Sequence, residues 1–530
     1  MKRRNFFKAA AAASVVPVSL NGMNLNAMGF ESVLGNIGKR ASEGKVLVLI
    51  QLNGGNDGLN TVVPIDQYAN LTKARSNVII NETDLLKLNG YNKTTLHPKM
   101  TGLQTMFNNG KVNIVQSVGY PDPNFSHFRS TDIWMSASDS NTIETTGWMG
   151  RYLDDRFENF PKDYPNSTMP DPLAIQIGAM VSLAFMGPST SMGMAITDPT
   201  AFYNIIDNST GTAPATPYGD ELSYIRLLAQ QTNKYADVIK KAASSGSNKS
   251  TKYPTSGGRG NGLSEQLKIV AKLISGGLKT PVYMVSLGGF DTHAEQVDSS
   301  SHKDGSHATL LENLSTAIDA FQDDLKLLGV SDRVVGMTFS EFGRRVQSNA
   351  SGGTDHGAAA PLIVFGDAVQ PGIIGNNPSI PSTTTVEDNV PMQFDFRQVY
   401  ASVLKDWFEL SENEVSSLLG GKDYNTLPIF KNSLSSLEEF ADYMTQIRMK
   451  PIYPNPAKDF IIVDFETDGG GELALNVYDP IGNMVQTVFH RTFSVGEYQQ
   501  QVDLRGLKPG NYIVQLQSKV KSTTQFVQKI

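Results

Sequence analysis

The chain reads as an α/β protein with a mostly parallel sheet and helices on both faces, followed by a small carboxy-terminal all-β sandwich. Continuous apolar runs rich in β-branched residues, at Lys45 to Leu52, Lys111 to Val118, Pro281 to Leu287 and Val334 to Phe339, have the length of strands buried on both faces. Between them lie stretches of helical period. From Leu310 to Leu328 the positions Leu310, Leu311, Leu314, Ala317, Ile318, Phe321, Leu325 and Leu328 form one apolar stripe. Strand, helix, strand alternation implies the layered α/β class. Beyond Gln446 to Tyr453 the pattern changes to short alternating strands at Phe460 to Phe465, Leu473 to Tyr478, Gln499 to Leu504 and Tyr512 to Leu516. Turn sequences such as Asp468-Gly469-Gly470-Gly471 and Lys508-Pro509-Gly510-Asn511 separate them, the pattern of a β-sandwich.

Three segments follow: an export signal at 1–28, an α/β domain at 40–445 and a β-sandwich at 450–530. Residues 243–262, rich in Ser, Gly, Lys and Asn, are expected to form a flexible insertion without chemistry. A basic head, Lys2-Arg3-Arg4, precedes Phe6-Phe7 and the weakly apolar run Ala9 to Val16. The paired arginines make this terminus resemble a twin-arginine (Tat) signal, which implies the Tat translocon as a partner. No later segment approaches the roughly 18 apolar residues that cross a bilayer.

Composition narrows the chemistry. With 530 residues and 40% hydrophobic content the chain can bury a sizeable core. A formal charge of -7 and a pI near 5.6, with no repeated Lys/Arg cluster along the body, give a nucleic-acid partner little support. The sequence contains no cysteine, so disulfides, thiolate metal sites and a cysteine nucleophile are excluded, leaving histidine, carboxylate and hydroxyl.

Those groups gather where strands are expected to end. Asp57 follows the first strand, Asp291-Thr292-His293 follows the third, and Ser340-Glu341 follows Val334 to Phe339. The turn Gly353-Thr354-Asp355-His356-Gly357 precedes the apolar run Pro361 to Gly366. Loops at the carboxyl edge of a parallel sheet converge in space, and mixed carboxylate and imidazole ligands suit Zn²⁺ or Mn²⁺, with Mg²⁺ or Ca²⁺ as carboxylate-rich alternatives. Ser126, with His127 and Arg129 beside it, precedes a helical stretch at Thr131 to Ser136. A hydroxyl at a helix amino terminus sits among free amides that favour an anion, so Ser126 is the candidate nucleophile and Arg129 a candidate anion clamp. Ser126 as a plain helix cap and Arg129 as a surface ion pair remain open.

Over most of residues 45–440 these motifs together resemble the domain-of-unknown-function 1501 family: Gly54-Gly55-Asn56-Asp57-Gly58-Leu59-Asn60, Ser126-His127-Phe128, Ser286-Leu287-Gly288-Gly289-Phe290-Asp291-Thr292-His293, Ser340-Glu341-Phe342-Gly343-Arg344 and Gly353-Thr354-Asp355-His356-Gly357. The resemblance implies the alkaline phosphatase and sulfatase-like superfamily, with two metal sites and a hydroxyl nucleophile acting on phosphate or sulfate esters. Carried over by position, it implies Ser126 as nucleophile. Asp57 and Glu341 then hold one metal, and Asp291, His293 or His307, and His356 hold another. Phe342 stands where that superfamily has a metal-binding histidine, so one metal position loses an imidazole unless Asp355 compensates.

The last segment resembles a type IX secretion carboxy-terminal sorting domain through Tyr453-Pro454-Asn455-Pro456-Ala457, Val477-Tyr478-Asp479-Pro480-Ile481-Gly482 and Leu507-Lys508-Pro509-Gly510-Asn511-Tyr512. This implies the type IX machinery as partner and a surface or extracellular destination. The sequence therefore supports an exported metal-dependent hydrolase acting on a small anionic ester or glycan, against the alternative of a noncatalytic surface binding or structural protein that keeps the fold.

Overall fold

The computed structural model describes residues 18–20, 23–25, 44–199, 235–254, 262–431, 447–467, 471–480, 482–493, 496–518 and 522–530. The expected signal at 1–28 lies largely outside them. The strands that position the site are β1 (Val46–Asn53), β2 (Val112–Gly119), β3 (Ala174–Ile177), β4 (Met194–Ile196), β5 (Val282–Gly288), β6 (Val334–Phe339), β7 (Arg344–Ser348), β8 (Thr354–His356), β9 (Ala360–Gly366), β10 (Gly372–Ile374) and β11 (Phe394–Asp395), and Val62–Pro64, Leu86–Leu88 and Tyr91–Leu96 form a separate three-stranded sheet. Nine form one sheet in the order β10-β2-β9-β6-β1-β5-β3-β4, with β11 also paired to β2, and β7 and β8 make a separate antiparallel ribbon. Strands β5 and β6 both pair parallel with β1, whereas β9 runs antiparallel to its neighbours β6 and β2. The amino-terminal end of β9 therefore lies at the edge where β1, β5 and β6 have their carboxyl ends. That reversal brings the 353–357 turn to the same edge as the loops after the parallel strands.

The helices flanking the sheet are α1 (Thr101–Asn108), α2 (His127–Ser136), α3 (Trp148–Arg156), α4 (Gly262–Ser275), α5 (Ser306–Leu328) and α6 (Phe396–Ser402). Alternate residues of β1 serve opposite faces. Leu47 and Leu49 join a core with Ile133 of α2, Trp148 of α3 and Tyr400 of α6, while Val46, Val48 and Ile50 join one with Leu103 of α1, Leu267 of α4 and Leu314 of α5. Burial on both faces explains why these strands are unbroken apolar runs. Helix α5 begins at Ser306, four residues before the apolar stripe, and ends at Gly329 with φ +75°, a left-handed cap that glycine adopts without strain.

The insertion expected at 243–262 is tighter than its composition suggests. Ala243 and Tyr253 are buried, and the amides of Lys249 and Ser250 donate to Asp324 Oδ1 on α5 at 2.6 and 3.0 Å. Polar side chains here anchor a loop, which apolar periodicity does not report. Residues 255–261 lie outside the described residues.

Gly336, inside β6, shows how closely the sheet is covered. A Cβ there would meet Phe365 Cζ of β9 at 2.0 Å. Glycine in a strand is ordinarily a weakness, yet Gly336→Ala is expected to destabilise the protein by about 1–3 kcal/mol through overpacking, read as a lower urea midpoint.

The carboxy-terminal portion holds β12 (Ile447–Met449), β13 (Phe460–Thr467), β14 (Gly471–Tyr478), β15 (Met484–Phe493), β16 (Gly496–Asp503), β17 (Gly510–Gln517) and β18 (Ser522–Lys529). They form a three-stranded sheet, β12-β13-β16, and a four-stranded sheet, β15-β14-β17-β18. One core joins both sheets through Ile461, Val463, Phe465, Leu475, Val477, Val514 and Leu516. Strands β15 and β18 escape sequence reading because most of their residues are at least partly exposed and their polar residues break the alternation.

Candidate metal centre

Strand β6 delivers Ser340 and Glu341 to the edge, where Ser340 Oγ donates to Leu52 O at 2.7 Å and accepts the Asn56 amide at 3.0 Å. The hydroxyl thus stitches the ends of β6 and β1 together. Glu341, almost fully buried, accepts the Gly54 amide on Oε1 at 2.8 Å. Gly54 has φ +121°, and a Cβ on it would meet the Asp291 amide at 2.2 Å. Only glycine lets the β1 loop pass this close to the β5 loop.

Arg344 draws the remaining loops in. Its Nε donates to Gly55 O at 2.7 Å, Nη1 to Thr354 O at 2.7 Å, and Nη2 to Phe290 O at 3.0 Å, to Gly54 O and to Asp291 Oδ1 at 2.7 Å. The guanidinium is fully buried and its donors are committed within the protein. It cannot also clamp a substrate anion; its effect is to fix Asp291. Burial alone would raise the Asp291 pKa, but the hydrogen bond and the positive charge of Arg344 hold it at about 2.

Three imidazoles meet at Asp291. His127 opens α2, His293 follows β5, and His356 ends β8. His127 Nε2 lies 3.5 Å from Asp291 Oδ2, while His293 Nε2 and His356 Nε2 each lie 3.2 Å from Oδ1. The opposite nitrogen of every ring meets an acceptor: His127 Nδ1 is 2.8 Å from Glu341 Oε1, His293 Nδ1 is 3.0 Å from Asp355 Oδ1, and His356 Nδ1 is 2.8 Å from Phe125 O. Carbonyl and carboxylate oxygens accept here, so each Nδ1 is the donor, and a ring that carries its single proton there turns an Nε2 lone pair inward. His293 Nε2 and His356 Nε2 are only 2.8 Å apart. Two lone pairs at that separation repel unless a proton or a cation lies between them. His127, Asp291 and His356 each place a ligand atom within 4.8 Å of the others. Imidazole nitrogen plus one carboxylate, with carboxylate and carbonyl partners behind the rings, is a donor set that fits a divalent transition metal.

The residues expected from sequence divide into two groups. Asp291, His293 and His356 come together, and His127, expected beside the nucleophile, joins them. Glu341 and Asp355 stand behind the rings as hydrogen-bond acceptors. Between His293 and His307, the geometry brings His293 to Asp291. Asp57 and His307 lie in a separate buried network. Both Asp57 oxygens accept from Arg75 Nη1, at 3.0 and 2.9 Å, and Oδ2 accepts from Gln296 Nε2 at 2.6 Å. Burial pushes the Asp57 pKa up, but Arg75, His307 and Gln296 outweigh it and the carboxyl stays below its ordinary value. His307 Nε2 pairs with Asn56 Oδ1 at 3.0 Å, and desolvation lowers its pKa to about 4, so it is neutral.

Ser126 is exposed and holds the N-cap position of α2 without a side-chain capping bond. Its role as a plain cap is therefore not realised in the hydrogen bonding. Arg129, expected as an anion clamp, instead donates through Nη2 to the carbonyls of Asp139 and Ser140 at 3.0 and 3.1 Å, tying down the loop after α2. Arg75, Gln296 and the Phe125 carbonyl were not singled out from sequence. Arg75 lies 18 residues after Asp57, beyond a short helix, and nothing in its neighbours signals the pairing.

The family described as a protein of unknown function (DUF1501) matches residues 259–419, a span that contains Asp291, His293, Glu341, Arg344, Asp355 and His356. A secretion system C-terminal sorting domain matches residues 451–529. No curated protein matches the chain. Among solved structures, a protein in the alkaline phosphatase superfamily from Vibrio parahaemolyticus is 10% identical with a TM-score of 0.33, over 83% of this chain and 81% of that one. The PsFucS1 sulfatase from Pseudoalteromonas sp. is 10% identical with a TM-score of 0.29, over 90% and 87%. The alkaline phosphatase from the Antarctic bacterium TAB5 is 10% identical with a TM-score of 0.25, over 72% and 99%. The sorting domain implies export to the cell surface or extracellular space through the secretion machinery, and among the described residues no helix is long and apolar enough to cross a membrane. Residues 259–419, which hold most of the candidate centre, thus match the DUF1501 family, and residues 451–529 match a secretion-system sorting domain.

Proposed function

We propose that the protein is an exported, metal-dependent hydrolase of phosphate or sulfate esters, with its metal held by His127, His293, His356 and Asp291. The observation that carries the metal site is the fixing of all three imidazoles at Nδ1, which leaves their Nε2 atoms gathered on one carboxylate. Zn²⁺ or Mn²⁺ suits this nitrogen-rich set better than Mg²⁺ or Ca²⁺, which prefer oxygen. A bound ion there supplies Lewis-acid polarisation and lowers the pKa of a bound hydroxyl or water.

The protein's own groups supply the rest. Ser126 presents an uncommitted, exposed hydroxyl one residue before His127. The first amides of a helix have no intrahelical partner, so the start of α2 offers donors to an anionic ester beside that hydroxyl. In this reading the Ser126 oxygen attacks the phosphorus or sulfur as the ester alcohol leaves with the hydroxyl proton, water then releases phosphate or sulfate from the serine, and Glu341 and Asp355 keep the rings oriented. Asp291 and His293 are nearly half exposed, so a substrate can reach the centre.

The test is turnover of aryl phosphate, phosphodiester and aryl sulfate by metal-loaded protein and by Ser126→Ala. The reading expects hydrolysis of one class and a loss of at least about 100-fold in kcat in the variant, the order of magnitude lost when a catalytic group is removed. A metal-loaded protein inert on all three classes would favour a surface protein that binds anionic glycans without cleaving them.

A further inference from the structure

The Asp57 network shows what the chain has done with a second cation position. Asp57 is wholly buried, and its charge is met by Arg75, which is buried as completely. Arg75 is itself locked. Nε donates to Val346 O at 3.0 Å, Nη2 to Arg345 O at 2.7 Å, and Nη1 reaches Asn60 Oδ1 at 3.3 Å besides Asp57. Neither Asp57 oxygen is free, since Gln296 takes Oδ2 as well. Glu341, the acid expected to share a metal with Asp57, has Oε1 committed to the Gly54 amide and His127.

Phe342 closes the space further. Its ring packs on His127 and His356 with centroids 4.9 and 4.5 Å away, and a Cβ on Gly55 would meet it at 2.4 Å. An apolar ring therefore lies against two imidazoles of the centre at the position where the resemblance led one to look for another ligand. The donor set around Asp57 does not fit a metal.

Resting on the reading of His127, His293, His356 and Asp291 as a metal site, we infer that this is a single-metal centre in which the Arg75 guanidinium is the permanent counter-cation of Asp57. Arg75 is a positioning residue. It fixes the turn after β1 and, through the carbonyls of Arg345 and Val346, ties that turn to the β7 ribbon, which pairs with the strand ending in His356. A covalently attached cation cannot be lost to a chelator, so the loop geometry persists when the metal is removed.

Native mass spectrometry of the full chain, reconstituted with excess Zn²⁺ and then desalted, tests this. One ion per chain is expected in the wild type, one in Asp57→Asn, and none in His356→Ala. Because Asp57→Asn leaves a buried guanidinium unpaired and threatens folding, Asp57→Asn/Arg75→Met removes both charges together and should also retain one ion. Two ions in the wild type would overturn the single-metal inference while leaving the metal site standing, and a folded Asp57→Asn/Arg75→Met protein that has lost its ion would place the metal at Asp57 and overturn both. No ion in the wild type would remove both.

Discussion

His356→Ala should release the metal and abolish hydrolysis, with metal affinity falling by at least about 100-fold. The floor comes from outer-shell partners, whose loss alone typically costs 10–100-fold, and His356 is proposed as an inner ligand. Its ring is held from behind by Phe125 O and packed between His127, His293 and Phe342. Truncation also removes the nitrogen nearest His293 Nε2. Glu341→Gln is the graded counterpart: the amide can still accept from His127 Nδ1 but loses the negative charge that strengthens the ring as a ligand. Affinity should fall by about 10–100-fold, with the fold retained. Competition against a chromogenic chelator reads both. Equal affinity in His356→Ala and wild type would contradict the site.

The largest effect on stability is expected at Asp57. Breaking a buried ion pair from one side costs about 3–5 kcal/mol, because the surviving charge stays buried without compensation. Asp57→Asn strands Arg75 in that way, and Arg75→Met strands Asp57. The double variant should recover much of the loss, since replacing both charges by groups of similar volume is often neutral. The pH dependence has a definite sign. The folded pKa of Asp57 lies below its ordinary 3.8, so its contribution is fully present above about that pH and disappears as pH falls through the lower folded value. The deficit of Asp57→Asn relative to wild type should stay constant from neutral pH to about pH 4 and narrow below it. Urea midpoints measured along that range would show this; a deficit that widened in acid would contradict the assignment.

What the sequence revealed follows from what leaves a local pattern. The central strands are legible because burial on both faces makes them continuous apolar runs, and the acids and imidazoles the sequence puts after them do gather at the carboxyl edge. The antiparallel direction of β9 was not legible, yet it decides where His356 arrives. Roles within the site were harder still. Asp57 and Asp291 look alike as acids after strands, and what separates them is one buried arginine against three imidazoles. That distinction depends on partners remote in sequence. Likewise Arg129 lies beside Ser126 and His127 but is turned to the carbonyls of its own loop.

The most direct test of the account is anomalous diffraction from crystals of the full chain loaded with Zn²⁺ or Mn²⁺, collected on both sides of the metal absorption edge. A single strong peak among the Nε2 atoms of His127, His293 and His356 and the carboxylate of Asp291 is the expected result. A peak at Asp57 and Glu341, or no peak at these four residues, would contradict it.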